Sequence, residues 1–156
     1  MKPLIVLLLA FTISSLTTMF INKQWNFILS GKIAMSVMLL FTALGHFIYP
    51  KGMSMMLPEI IPYKTQIIYI TGIIEIAAAL GLFIPALRGL TGWLLITFFV
   101  LVLPANIYAT IIHLNYEKGT FDGNSLNYLW FRLPLQLLFI IWTYFFTIKH
   151  QQSNKK

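Results

Sequence analysis

Five apolar runs divide this chain, at residues 3–21, 33–49, 67–87, 90–113 and 127–148. Each has about the length that a bilayer-crossing helix needs, roughly 20 residues at a rise of about 1.5 Å per residue. Polar residues gather between the runs. The pattern predicts an all-α membrane protein: an antiparallel bundle of transmembrane helices with a four-helix core and an additional N-terminal helix. Residues 1–31 read as that first helix and a loop, 32–150 as the four-helix domain, and 151–156 as a basic tail. The first run follows Lys2 in the manner of a secretory signal. It ends in Thr17, Thr18, Met19 and Phe20, with no small-residue cleavage site, and so reads as a retained helix.

The connections differ in character. Pro85, Arg88 and Gly89 mark a tight turn, which makes the third and fourth spans antiparallel neighbours. Residues 50–63, PKGMSMMLPEIIPY, are apolar, Met-rich and broken by three prolines. That segment is too short to span and is expected to lie in the interface as a lid over the bundle mouth. Residues 115–124 carry Gly119, Asp122 and Gly123 and read as a polar turn.

Composition narrows the class. A chain of 156 residues that is 58% hydrophobic and 10% charged cannot cover its apolar content in water. The net charge of +7 lies in loops and tails, where it acts as a topology signal and touches lipid headgroups; no basic face exists to bind nucleic acid. Counting crossings, Lys2, Lys51, Lys64 and Lys118 fall on the side of the N-terminus. Lys23, Lys32, Arg88, Lys149, Lys155 and Lys156 fall on the other, which the positive-inside rule places in the cytoplasm: N-out, C-in. With no cysteine, disulfide exchange and thiolate-held clusters are excluded. Any electrons must come from a bound cofactor or a redox partner.

Candidate chemistry lies inside the spans, where ionisable groups are costly and mark function by default. These groups are His46, Glu75, Asn106 with His113, and Arg132 with Gln136. Parity places them in one slab, at depths of about 5 Å for His46 to about 12 Å for Glu75 from the N-terminal side. Helical spacing gives the facing. Thr71, Gly72, Glu75, Ala78 and Ala79 form a small-residue stripe that turns Glu75 inward. Met38, Thr42, Gly45, His46 and Tyr49 form a second stripe, and Phe99, Leu103, Asn106, Thr110 and His113 a third. The first helix offers only Ser and Thr, able to bond their own backbone, and looks peripheral. Pro104 and Pro134 sit beside Asn106, Arg132 and Gln136, each freeing a carbonyl one turn back.

Two readings of Glu75 and Arg132 compete: a proton acceptor beside a ligand-orienting guanidinium, or a buried ion pair locking two helices. His46, Glu75 and His113 together have the composition of a two-histidine, one-carboxylate metal site, but they lack diagnostic spacing, and no metal is expected. Met53, Met55 and Met56 suit a greasy, adaptable surface better than soft-metal ligation.

The region from about residue 33 to 148 resembles the DoxX-like family of small bacterial inner-membrane proteins. The likeness rests on GHFIYP at 45–50, the following Pro58, Ile61 and Pro62, TGIIEIAAALGLFIPALRGLTG at 71–92, and LPANIY at 103–108. That resemblance implies four helices, location in the inner membrane, and association with membrane oxidoreductases that use quinone. On this reading a polar pocket holds a quinone-like or lipid-like molecule. Glu75 and His46 handle protons, while Arg132, Gln136, Asn106, Thr42 and Tyr49 hold the ligand. A non-enzymatic carrier of a small hydrophobic molecule and a structural membrane anchor are the alternatives.

Overall fold

A computed structural model describes residues 2–123 and 126–149. The tail expected at 151–156 lies outside the described residues. Five long helices cover them: α1 (Lys2–Asn22), α2 (Phe27–Ile48), α4 (Lys64–Gly81), α5 (Arg88–Ile111) and α6 (Leu129–Thr143). A short helix, α3 (Pro50–Ser54), lies between α2 and α4. A 3-10 turn (Leu126–Tyr128) leads into α6, and a π-helical segment (Tyr144–Lys149) extends it. Among the described residues there is no strand, only an isolated bridge between Asn115 and Thr120. Counting α6 with its flanking turns as one span, five helices are long and apolar enough to cross a membrane.

α2 is the central helix. It packs on α1 and α4, and its N-terminal half also meets α6 and the π segment. That half is built of small residues, and Ser30, Gly31, Lys32, Ala34, Met35 and Ser36 are all buried. The absence of a side chain at Gly31 lets the Phe146 ring sit against the backbone, and Trp142 Nε1 donates to the Gly31 carbonyl at 3.0 Å. On the α4 side, Ser36 Oγ donates to the Ala79 carbonyl at 2.9 Å. The apolar core runs through Met35, Met38 and Leu39 of α2, Ala79 of α4, Leu82 just beyond it, Leu95 and Phe99 of α5, and Phe139 of α6. α1 adds Leu7, fully buried, and Phe11 meets Trp142 edge-on at 5.0 Å. Its Thr12 and Thr17 hydroxyls bond the carbonyls one turn back, as a helix at the lipid edge requires. The remaining faces are apolar and outward: Leu9, Leu44, Leu101 and Leu137 are each more than half exposed. Such surface suits acyl chains.

The two ends of the bundle confirm the alternation of the spans. At one end Lys2 pairs with Glu117 at 2.6 Å. Beside them, Gly52 of α3 abuts the Tyr116 backbone, and Met53 and Met55 pack with Met56, Ala109 and Leu114. The N-terminus, the Met-rich segment and the 115–123 loop therefore share one end. At the other end Arg88 Nε donates to the Leu82 carbonyl at 3.2 Å, closing the expected turn between α4 and α5.

Two boundaries differ from the sequence reading. α4 stops at Gly81 rather than near 87, because the chain passes into turns bonded Phe83 to Leu80 and Ile84 to Gly81 ahead of Pro85. α2 begins at Phe27 rather than 33. Asn26 caps it by accepting from the Leu29 amide at 3.0 Å, so Lys32, expected in a loop, is helical and buried. Its long stem covers apolar surface that a short polar side chain would leave bare.

Gly31→Ala tests the central role of α2. A Cβ there falls within the Phe146 ring, and overpacking of this kind costs about 1–3 kcal/mol. Thermal unfolding in detergent should show a lower midpoint for this variant, despite the helix propensity of alanine.

Candidate functional site

The polar groups inside the spans meet two by two. On one side of the bundle α2 carries His46 in its last turn, where α4 crosses it at Gly72. A Cβ at Gly72 would lie 2.9 Å from His46 Cβ and 3.1 Å from the Phe47 ring. The glycine therefore permits the approach that brings His46 Nε2 within 3.5 Å of Glu75 Oε2. Both side chains are largely buried, at 14% and 8% exposure. Glu75 Oε2 has no aligned hydrogen bond.

The other ring nitrogen is held at the backbone of α4. His46 Nδ1 lies 3.0 Å from the Ile68 carbonyl oxygen and 3.0 Å from Thr71 Oγ1. Thr71 itself donates to the Ile68 carbonyl at 2.8 Å. A carbonyl only accepts, so Nδ1 carries the hydrogen and donates to it. Nε2 is then the ring nitrogen turned toward the Glu75 carboxyl, 3.5 Å away across the α2–α4 interface.

The second couple joins α5 to α6. Arg132 Nη2 donates to Asn106 Oδ1 at 2.7 Å, and its guanidinium lies 5.8 Å from the centre of the Tyr128 ring. Asn106 is buried, while Arg132 is partly exposed and keeps further N–H groups of its five. Gln136, one turn along α6, donates to the Phe99 carbonyl at 2.7 Å. That carbonyl is one residue before the one that Pro104 leaves without its helical partner.

The arrangement changes several expectations. Glu75 and Arg132 form no ion pair within 4 Å; each takes a partner from the neighbouring helix. The reason is lateral order: α4 packs chiefly on α2, and α6 on α5. Thr42 is occupied by its own helix, bonding the Met38 and Leu39 carbonyls. Tyr49 ends α2, its amide bonded to the Gly45 carbonyl and its ring edge-on to Tyr116 at 6.3 Å. His113 lies exposed beyond α5 in a left-handed conformation, φ 52°, and among the described residues no three metal-binding side chains gather. A groove of about 760 Å³ exists at the opposite end of the bundle, and none of the seven expected site residues lines it. Thr71 and the Ile68 carbonyl escaped the sequence reading as partners of His46. Thr71 sits one turn before Glu75 on the same face, and that spacing is the available signal.

Two measurements follow from this geometry. Gly72→Ala should lower the unfolding midpoint by the equivalent of about 1–3 kcal/mol, because the clash is with Cβ of His46 rather than a movable tip. Gly45→Ala should be tolerated, since its new methyl meets only the flexible end of Met53 at 3.2 Å. For the second couple, a double-mutant cycle of Arg132→Met and Asn106→Leu should return a coupling of about 1.5–3 kcal/mol, the range for a charged hydrogen bond.

Comparison with known proteins adds a family without an activity. No curated protein and no solved structure matches the chain. A family model described as a domain of unknown function, DUF8561, matches residues 35–147, from the middle of α2 into the π segment that follows α6. The match takes in both polar couples, and the chain belongs to that family.

Proposed function

We propose that this protein is a membrane subunit that handles one proton at His46 and Glu75 for a bound quinone-like or lipid-like molecule. The observation that carries the reading is the contact itself: an imidazole held at the Ile68 carbonyl, with Nε2 3.5 Å from a buried carboxyl oxygen. A structural lock alone would be better served by an aligned hydrogen bond. Glu75 Oε2 makes none among the described residues. Arg132, with N–H groups to spare beyond Asn106, supplies the polar anchor for a carbonyl or anionic head.

A quinone-like ligand supplies two-electron chemistry that must be matched by two protons. Among the residues of this chain, His46 and Glu75 hold one proton at a time; releasing it leaves the pair with a net charge of −1, and the aqueous side reloads it. Without cysteine the chain has no thiolate-bound electron centre, so electrons come from a partner redox protein. The DoxX-like resemblance of the stretches around His46, Glu75 and Asn106 supports this redox association. With it goes location in a bacterial inner membrane, the site lying toward the outer leaflet.

Binding of a short-chain benzoquinone to the purified protein, followed across pH, tests the proposal. Wild type should bind with a pH dependence that Glu75→Gln abolishes, and Arg132→Met should weaken affinity several-fold. Unchanged affinity and unchanged pH profile in both variants would remove the site. Loss of thermal stability with no effect on binding would leave only a structural anchor.

A further inference from the structure

Among the described residues, the end of the bundle opposite His46 and Glu75 carries cations and no carboxylate. The four acidic residues are Glu59, Glu75, Glu117 and Asp122, and none lies at the end that carries Lys23, Arg88 and Lys149. Isolated cations at an interface attract anions from outside the protein. The groove of about 760 Å³ opens at this same end, between the start of α2 and the last turns of α6 and its π extension. Its walls are apolar, from Phe27, Leu138, Ile141 and Phe145, and its rim carries Trp25 and Lys149. The Lys149 ammonium is held over the Phe145 ring, 5.0 Å from its centre. Trp25 stacks on Phe27 at 5.5 Å, the placement of an interfacial aromatic. The first backbone amides of α2 lie along the same rim, adding the positive end of a helix.

We propose that this groove seats one anionic phospholipid, its acyl chain along Leu138 and Ile141 and its phosphate at Lys149 and the start of α2. The shape fits an amphiphile: an apolar channel at membrane depth, closed at the interface by a cation with no acidic partner among the described residues. The site is separate from the His46–Glu75 pair and stands or falls without it. Lipid held here braces α2 against the end of α6, where Trp142 already bonds the Gly31 carbonyl.

Native mass spectrometry of the purified full-length protein, given equal dioleoyl-phosphatidylglycerol and dioleoyl-phosphatidylcholine, tests the proposal. Wild type should retain the anionic lipid over the zwitterionic one by about fivefold, the weight of one basic side chain at an anionic surface. Lys149→Gln should bring the two close to equality. Ile141→Trp fills the channel from a position already 54% exposed, so it should fold normally and lose both lipids. Lys51→Gln, at the other end, should leave the ratio unchanged. Equal retention by wild type, a preference that survives Lys149→Gln, or full retention by Ile141→Trp would each overturn the site. An equal shift with Lys51→Gln would assign the effect to overall charge and overturn it as well.

Discussion

Polar groups at membrane depth are stabilised by partners inside the protein, and in this bundle such partners lie across the helix contacts. Lipid offers no hydrogen bonds, so an unmet donor or acceptor there costs several kcal/mol. The α2–α4 contact at Gly72 is where His46, Thr71, Glu75 and the Ile68 carbonyl come together. Further along the same interface Ser36 bonds the Ala79 carbonyl. Small residues and polar side chains thus work jointly: the former admit a second backbone, the latter fix its register.

The α5–α6 contact follows the same logic with different chemistry. Asn106 and the Phe99 carbonyl accept from Arg132 and Gln136, two donors one turn apart on a helix that otherwise shows Leu, Phe and Ile. Prolines at 104 and 134 remain inside their helices. The two couples differ in what they can do. Arg132 and Asn106 make a short hydrogen bond of 2.7 Å, whereas His46 Nε2 and Glu75 Oε2 keep a longer contact of 3.5 Å.

The opposite end has a distinct character. Among the described residues it is basic without carboxylates and aromatic where α2 meets α6, while the end bearing the N-terminus has the Lys2–Glu117 pair and a Met-rich surface packed on Tyr116. The asymmetry parallels the uneven charge of the loops.

Periodicity and length alone determined the number of spans, their alternation and the inward face of α4. Gly72, Glu75 and Ala79 are all buried as their spacing requires. A one-dimensional pattern also reveals depth, because rise per residue is constant. It does not encode which helix stands beside which. Glu75 and Arg132 looked like natural partners by depth and charge, yet lateral order gave Glu75 to α2 and Arg132 to α5. Lys32 likewise looked like a loop residue until the Asn26 cap extended α2 around it. Pairing of this kind depends on rotation and neighbour order, settled jointly by packing volumes such as the absent side chain at Gly72. Only the assembled bundle holds that information.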